Sequence, residues 1–151
     1  MADAKDFLNS INKSGFKTDP TAKRTEKPWG YEILLTETEA PYAAKIIHIN
    51  AGARLSLQAH DQKTETWCVL SGKAGVLIEN AVGEMEQIEL KPGVGYTTAL
   101  GQRHRLMALS DCDVFEASTP EIGTTLRLED DYARPDETEA MRAEPNRGWK
   151  N

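Results

Sequence analysis

Histidine is scarce in this chain of 151 residues, with three in all, and cysteine is scarcer still, with two. Two cysteines cannot build a disulfide framework. Cys68 and Cys112 both sit inside apolar strand patterns, so they are expected as buried thiols in a reducing cytoplasm. Basic runs are also missing: the formal net charge is −6, and no Lys/Arg tract tracks a phosphate backbone, so nucleic acid is not expected as a partner. No apolar run approaches the length that spans a bilayer, and the opening residues, MADAKDFLNSINKSGF, lack the core of a signal peptide. A soluble, cytoplasmic protein with no membrane partner is the expectation. Helical periodicity is nearly absent, as are internal repeats and low-complexity tracts.

What is present is a succession of short strands. A chain of this length can bury one hydrophobic core without staples. Residues 1–25 read as an arm in which Phe7, Leu8 and Ile11 allow one or two helical turns, ended by Gly15 and Pro20. Such an arm either packs on a partner subunit or is a free terminus. From Lys27 the character changes: Pro28-Trp29-Gly30 is a turn, Tyr31 to Thr36 is strand-like, and Ala43 to Asn50 is a strand with a Lys45/Ile47/Ile49 face. Further strands are expected at 74–79, 84–90, 96–99, 104–109 and 114–117. About eight or nine short strands, with turn signals roughly every eight to twelve residues, predict an all-β fold. The domain is expected over 26–134. Residues 135–151, charged and interrupted by Pro145 and Gly148, are expected as a helical turn followed by a flexible tail.

The stretch from Gly52 to Gly72 carries the chemistry. Arg54, Ser56, Gln58 and His60 are spaced by two, so an extended strand projects all four to one face. After a polar turn, Glu65, Trp67 and Val69 alternate again. If the two strands pair as a hairpin, an amide, an imidazole and a carboxylate converge near its closed end, which is the donor chemistry of a small divalent-metal site. A lone strand histidine is more often packed than a ligand, and His48, on the opposite parity from Lys45, is read as structural. Trp29 and Trp67 are read as core. Lys45, Arg54, Lys63 and Arg127 are the cations that could meet a phosphate; ion pairs with Glu32 or Glu116 are their plainer role.

Gly52–Gly72 resembles the first motif of the cupins and Gly93–Ala108 the second. The resemblance implies a cupin barrel (a double-stranded β-helix, or jelly roll) in which the first motif gives two histidines and a glutamate and the second one more histidine. Gln58 stands at the first histidine's place; His60, Glu65 and His104 keep the other three. The implied ligands of one divalent ion (Zn, Mn, Fe, Co or Mg) are therefore Gln58, His60, Glu65 and His104. A-R-L-S-L-Q-x-H followed by E-x-W is more narrowly similar to the type II mannose-6-phosphate isomerase domain, which often forms the carboxy-terminal part of mannose-1-phosphate guanylyltransferases. Lys27-Pro28-Trp29-Gly30, Tyr31-Glu32 and Leu126-Arg127-x-x-Asp130-x-Tyr132-x-Arg134 extend the likeness over about residues 26–134. Gln62, Lys63 and Thr66 depart from the histidine, arginine and histidine common in that family. With no glycine-rich nucleotidyltransferase region ahead of the domain, guanylyl transfer is not expected.

The resemblance implies interconversion of mannose 6-phosphate and fructose 6-phosphate through an enediol. Lys45, Lys63 or Glu116 would move the proton, and Arg127 with Arg54 would hold the phosphate. Two other readings stay open: another metal-dependent cupin enzyme, either a sugar isomerase or epimerase or a dioxygenase, and a non-catalytic sugar-binding cupin, which Gln62 and Thr66 favour. Small barrels of this kind often pair through sheet edges, so a homodimer is expected.

Overall fold

Alternate residues of Ala-Ala-Lys-Ile-Ile-His-Ile (Ala43–Ile49) are buried and part-exposed in strict succession, and the same period of two builds most of the molecule. The computed structural model describes residues 3–17 and 19–148. It contains strands β1 (Lys23–Lys27), β2 (Gly30–Leu34), β3 (Ala43–Ile49), β4 (Leu57–His60), β5 (Glu65–Ser71), β6 (Ala74–Glu79), β7 (Met85–Glu89), β8 (Tyr96–Thr97), β9 (His104–Ala108), β10 (Cys112–Ser118) and β11 (Thr125–Glu129). They form two antiparallel sheets, in the orders β1-β2-β3-β10-β5-β8 and β11-β4-β9-β6-β7. Ile47, Trp67 and Val114 from the first sheet meet Val76, Leu106 and Ala108 from the second in one buried cluster. The all-β expectation holds.

The hairpin expected within Gly52–Gly72 does not form. β4 pairs with β9 and β11 in one sheet, while β5 pairs with β10 and β8 in the other. The chain therefore crosses the barrel at residues 61–64, and the two ligand-bearing strands face each other instead of lying side by side. The exit from β5 is a tight turn at Gly72, with φ +70°, where an added Cβ would fall 2.0 Å from the Asp111 carbonyl oxygen. Only glycine fits there.

Both termini form the helical turns expected of them, and both connect to the sheets beyond expectation. Helix α1 (Ala4–Ser10) is capped by Asp3 and buries none of its residues, leaving Phe7 and Leu8 more than half exposed. β1 starts at Lys23, so sheet pairing begins inside the region expected as arm. Of the segment expected as a helical turn followed by a flexible tail, residues 135–148 do form a helical turn and pack on the barrel. Glu137 and Thr125 exchange backbone hydrogen bonds (2.9 and 3.0 Å), helix α2 (Glu139–Arg142) follows with Thr138 as its cap, and a 3-10 turn (Pro145–Gly148) delivers Arg147 to three carboxylates. Charge pairing orders this segment, and strand parity could not reveal that.

Cys68 and Cys112 are both free thiols, half-buried and buried respectively. Burial, aided by the charges of Asp113 and Asp111, pushes the Cys112 thiol up to about 11. Among the described residues no helix is long and apolar enough to cross a membrane. His48 lies on the outer face, stacked on Tyr31 and bonded to Asp113 at 2.8 Å, as a structural residue would be.

Candidate metal centre and its cavity

Three strands deliver the site. β4 brings Gln58 and His60, β9 brings His104 at its first residue, directly opposite Gln58, and β5 brings Glu65 at its first residue from the other sheet. Glu65 Oε1 lies 3.0 Å from His104 Nε2 and 3.5 Å from His60 Nε2. One donor atom from each of the three lies within 4.8 Å of the others, and all three residues are buried. The far side of each imidazole is held. His104 Nδ1 faces the Gln102 carbonyl oxygen at 2.8 Å, an acceptor only, so Nδ1 carries a hydrogen and the ring is fixed with Nε2 towards Glu65. His60 Nδ1 meets Thr125 Oγ1 at 3.1 Å, leaving its Nε2 turned inward likewise.

These donors fit a divalent ion. Gln58 Nε2 lies 3.4 Å from both inward Nε2 atoms, where its NH2 stands in for a cationic partner, while Ser56 Oγ donates to Gln58 Oε1 at 2.7 Å. Turning that amide over would face its oxygen to the centre and satisfy Ser56 equally well. Glu65 Oε2 is buried and receives no directed hydrogen bond, although Lys63 Nζ lies 2.9 Å away. An anionic oxygen with unused lone pairs beside two imidazoles is a mixed nitrogen and oxygen donor set of the kind borderline divalent metals take.

The charges behind the centre are strongly coupled. Lys63 Nζ also reaches Glu116 (2.8 Å) and Glu121 (3.2 Å). Burial opposes its charge, but Glu116, Glu121 and Glu65 outweigh burial and hold the ammonium well above the usual lysine range. Burial also acts to raise the Glu65 carboxyl; Lys63 and hydrogen bonds from His104 and His60 reverse this and hold it well below normal. Glu116 goes the other way, raised by burial and then by the Glu65 charge.

A cavity of about 60 Å³ adjoins the centre. Lys45, Lys63, Glu116 and Arg127 all line it, together with Gln58, His60 and Glu65. Arg54 does not. It lies on the outside, in a two-point pair with Asp131 at 2.6 and 3.0 Å, so its expected inward placement is wrong. Regular strand begins only at Leu57, and the irregular stretch between it and the isolated bridge of Arg54 with Met107 breaks the period of two. Glu121, Glu137 and Arg147 also reach the cavity, from loops and the C-terminal turn, where no periodicity in the sequence marks direction. Lys27 and Arg134 stood in the motif fragments already quoted, and that was the available signal. Lys45 is buried among acids, bonded to Glu121 and 3.8 Å from Glu32. Burial acts against the Glu32 charge, yet Lys45, Arg147 and Lys27 hold that carboxyl far below its usual range.

Residues 15–112 match the family described as mannose-6-phosphate isomerase C-terminal. Among curated proteins, the chain is 30% identical over 137 residues to mannose-1-phosphate guanylyltransferase ManC of Salmonella typhimurium, covering 89% of this chain and 28% of that protein. It is 29% identical over 140 residues to xanthan biosynthesis protein XanB of Xanthomonas campestris, with the same coverage. The chain thus spans little more than a quarter of the length of these relatives. Among solved structures, the oxalate decarboxylase of Lactobacillus farciminis in its formate complex superposes with a TM-score of 0.63 at 20% identity, over 76% of this chain and 37% of that one. KdgF from Halomonas sp. superposes with a TM-score of 0.55 at 20% identity, over 66% and 86%. These likenesses show the fold, a cupin barrel.

Proposed function

The chain belongs to the family of mannose-6-phosphate isomerase C-terminal domains, and on that premise we propose that it is a metal-dependent isomerase of mannose 6-phosphate and fructose 6-phosphate. The observation that carries the reading is the convergence of His60, Glu65 and His104, each imidazole with its Nε2 turned inward, at the wall of a charged cavity. Held by these three with Gln58 beside them, a divalent ion would supply Lewis-acid polarisation of the substrate carbonyl. The remaining chemistry belongs to side chains. One proton leaves C2 of the aldose and returns at C1 of the ketose, while a hydroxyl proton passes between O1 and O2.

Among Lys45, Lys63 and Glu116, the carbon-bound proton falls to Glu116. Lys63 is held protonated by three carboxylates and donates to Glu116 Oε1, so it positions this group instead of accepting a proton itself. Lys45 is tied to Glu121. The Glu116 carboxyl, raised by burial and the Glu65 charge, binds a proton more readily than an ordinary glutamate, which is the direction that suits a general base. Arg127 reaches the cavity from β11 opposite Gln58 and is the candidate for the phosphate.

A coupled assay on mannose 6-phosphate tests this. Turnover should vanish on chelation and return with added metal, and Glu116→Gln should retain its metal while losing roughly 10²–10⁴ in kcat. Unchanged turnover in metal-free protein would remove the metal's role. Ligand binding with no product in any metal would leave a sugar-binding cupin.

A further inference from the structure

Under the C-terminal segment the cavity adjoins a smaller chamber walled by Lys27, Arg127, Arg134, Glu137 and Arg147. Four cations share one carboxylate on its walls, and they are unequally satisfied. Arg134 is paired with Asp130 through two nitrogens (2.7 and 3.0 Å). Arg127 gives its terminal nitrogens to the Pro135 carbonyl and to Glu137 at 3.1 Å, but its Nε is buried without any partner. The Lys27 side chain is 5% exposed, makes no hydrogen bond among the described residues, and has one ion-pair contact, Glu32 at 3.7 Å. Burial draws its pKa down to about 8, with Glu32 and Glu137 resisting and Arg147 and Lys45 adding to the fall. A buried N–H without an acceptor and a poorly paired buried ammonium both cost stability in a folded chain. A ligand with several anionic oxygens would satisfy both at once.

We propose that this chamber seats the phosphate monoester of the substrate, with Lys27 and Arg127 donating to it and Arg147 closing over it on the C-terminal strap, residues 135–148. The identity of the ligand rests on the sugar-phosphate reading above; the anion seat rests on the chamber itself. Position supports it: Arg127 lies opposite Gln58 across β4 and β11, so a phosphate there leaves the rest of a sugar reaching towards His60, Glu65 and His104. The strap walls one side of the cavity, to which it contributes Glu137 and Arg147. The removable wall is Arg147, which bridges Glu32, Glu121 and Glu137 from a four-residue turn. Swinging out, the strap opens the chamber; closing again, it turns a planar fork of donors on a phosphate.

The experiment is calorimetric titration of the metal-free full chain with inorganic phosphate at low ionic strength, with circular dichroism to confirm folding. Wild type should bind phosphate saturably. Lys27→Met and Arg147→Ala should each weaken binding tenfold or more, and Arg24→Ala, which removes a cation from the outer face, should not. Without anion, Lys27→Met should also melt a few degrees higher than wild type, a rise that a lysine serving only the fold would not give. Should Lys27→Met fail to fold, Arg147→Ala decides the matter. Phosphate bound equally by wild type, Lys27→Met and Arg147→Ala, or not bound at all, overturns the seat. Phosphate binding that obeys these expectations without any isomerase turnover overturns the catalytic reading and leaves the seat standing.

Discussion

Glu65→Gln should strip the metal and, with it, turnover. The substitution keeps shape and removes charge from the one carboxylate in the ligand set, whose Oε1 lies 3.0 and 3.5 Å from the two imidazoles. Losing one member of a buried charge pair costs about 3–5 kcal/mol, which against a bound cation is on the order of 10²–10⁴ in affinity. The metal-free fold should survive, because Lys63 keeps Glu116 and Glu121 as partners, and the Glu116 carboxyl is relieved of its neighbour's charge. The measurements are metal content after dialysis, calorimetric titration with Zn and Mn, and a urea unfolding curve. A variant that retains wild-type metal content removes Glu65 from the site.

Lys63→Met should instead break the fold at neutral pH. Its ammonium sits 2.9, 2.8 and 3.2 Å from Glu65, Glu116 and Glu121, and methionine matches its volume without its charge. Three buried carboxylates would then share Lys45 and Arg147. Breaking such a cluster costs about 3–5 kcal/mol, a large part of the roughly 5–15 kcal/mol that holds a domain together. The pH dependence follows from the same charges. In wild type the Glu65 and Glu121 carboxyls are held well below 4.5, so their stabilisation is present above that value and is lost as pH falls beneath it. Glu116, raised above 4.5, has the opposite sign: what it contributes is lost as pH rises through its folded value. In the variant Glu65 and Glu116 lose the cation that most favours their charged forms, while Glu121 keeps Lys45 and Arg147. The deficit against wild type should therefore be greatest near pH 7 and narrow towards pH 4. Added metal should recover part of it by restoring positive charge beside Glu65. Urea unfolding at pH 7 and pH 5, with and without metal, measures this. An equal deficit at both pH values would mean lost packing, not lost charge.

Much of the architecture was legible because it is local. Ala43–Ile49 alternates so regularly that its inward Lys45 could be placed from parity, and the structure buries it. Gly52–Gly72 advertised Gln58, His60 and Glu65 by spacing alone, and His104 came with the family likeness. Pairing was not legible: a two-residue period says which way a side chain points and nothing about which strand lies beside it. Hence the expected hairpin, where β4 and β5 in fact belong to opposite sheets. Arg54 fails for a related reason, since the period of two does not carry back from β4 through the irregular residues 55–56.

From residue order alone come the strands, their inward faces and the donor types, because side-chain alternation and metal-donor chemistry are properties of short segments. Only the folded chain decides that Glu65 meets His60 and His104 across a barrel rather than along a hairpin. Only there, too, does Arg147 travel from the far end of the sequence to lock Glu32, Glu121 and Glu137 over the cavity. Charges buried together act on one another over distances in space that separation along the chain does not encode.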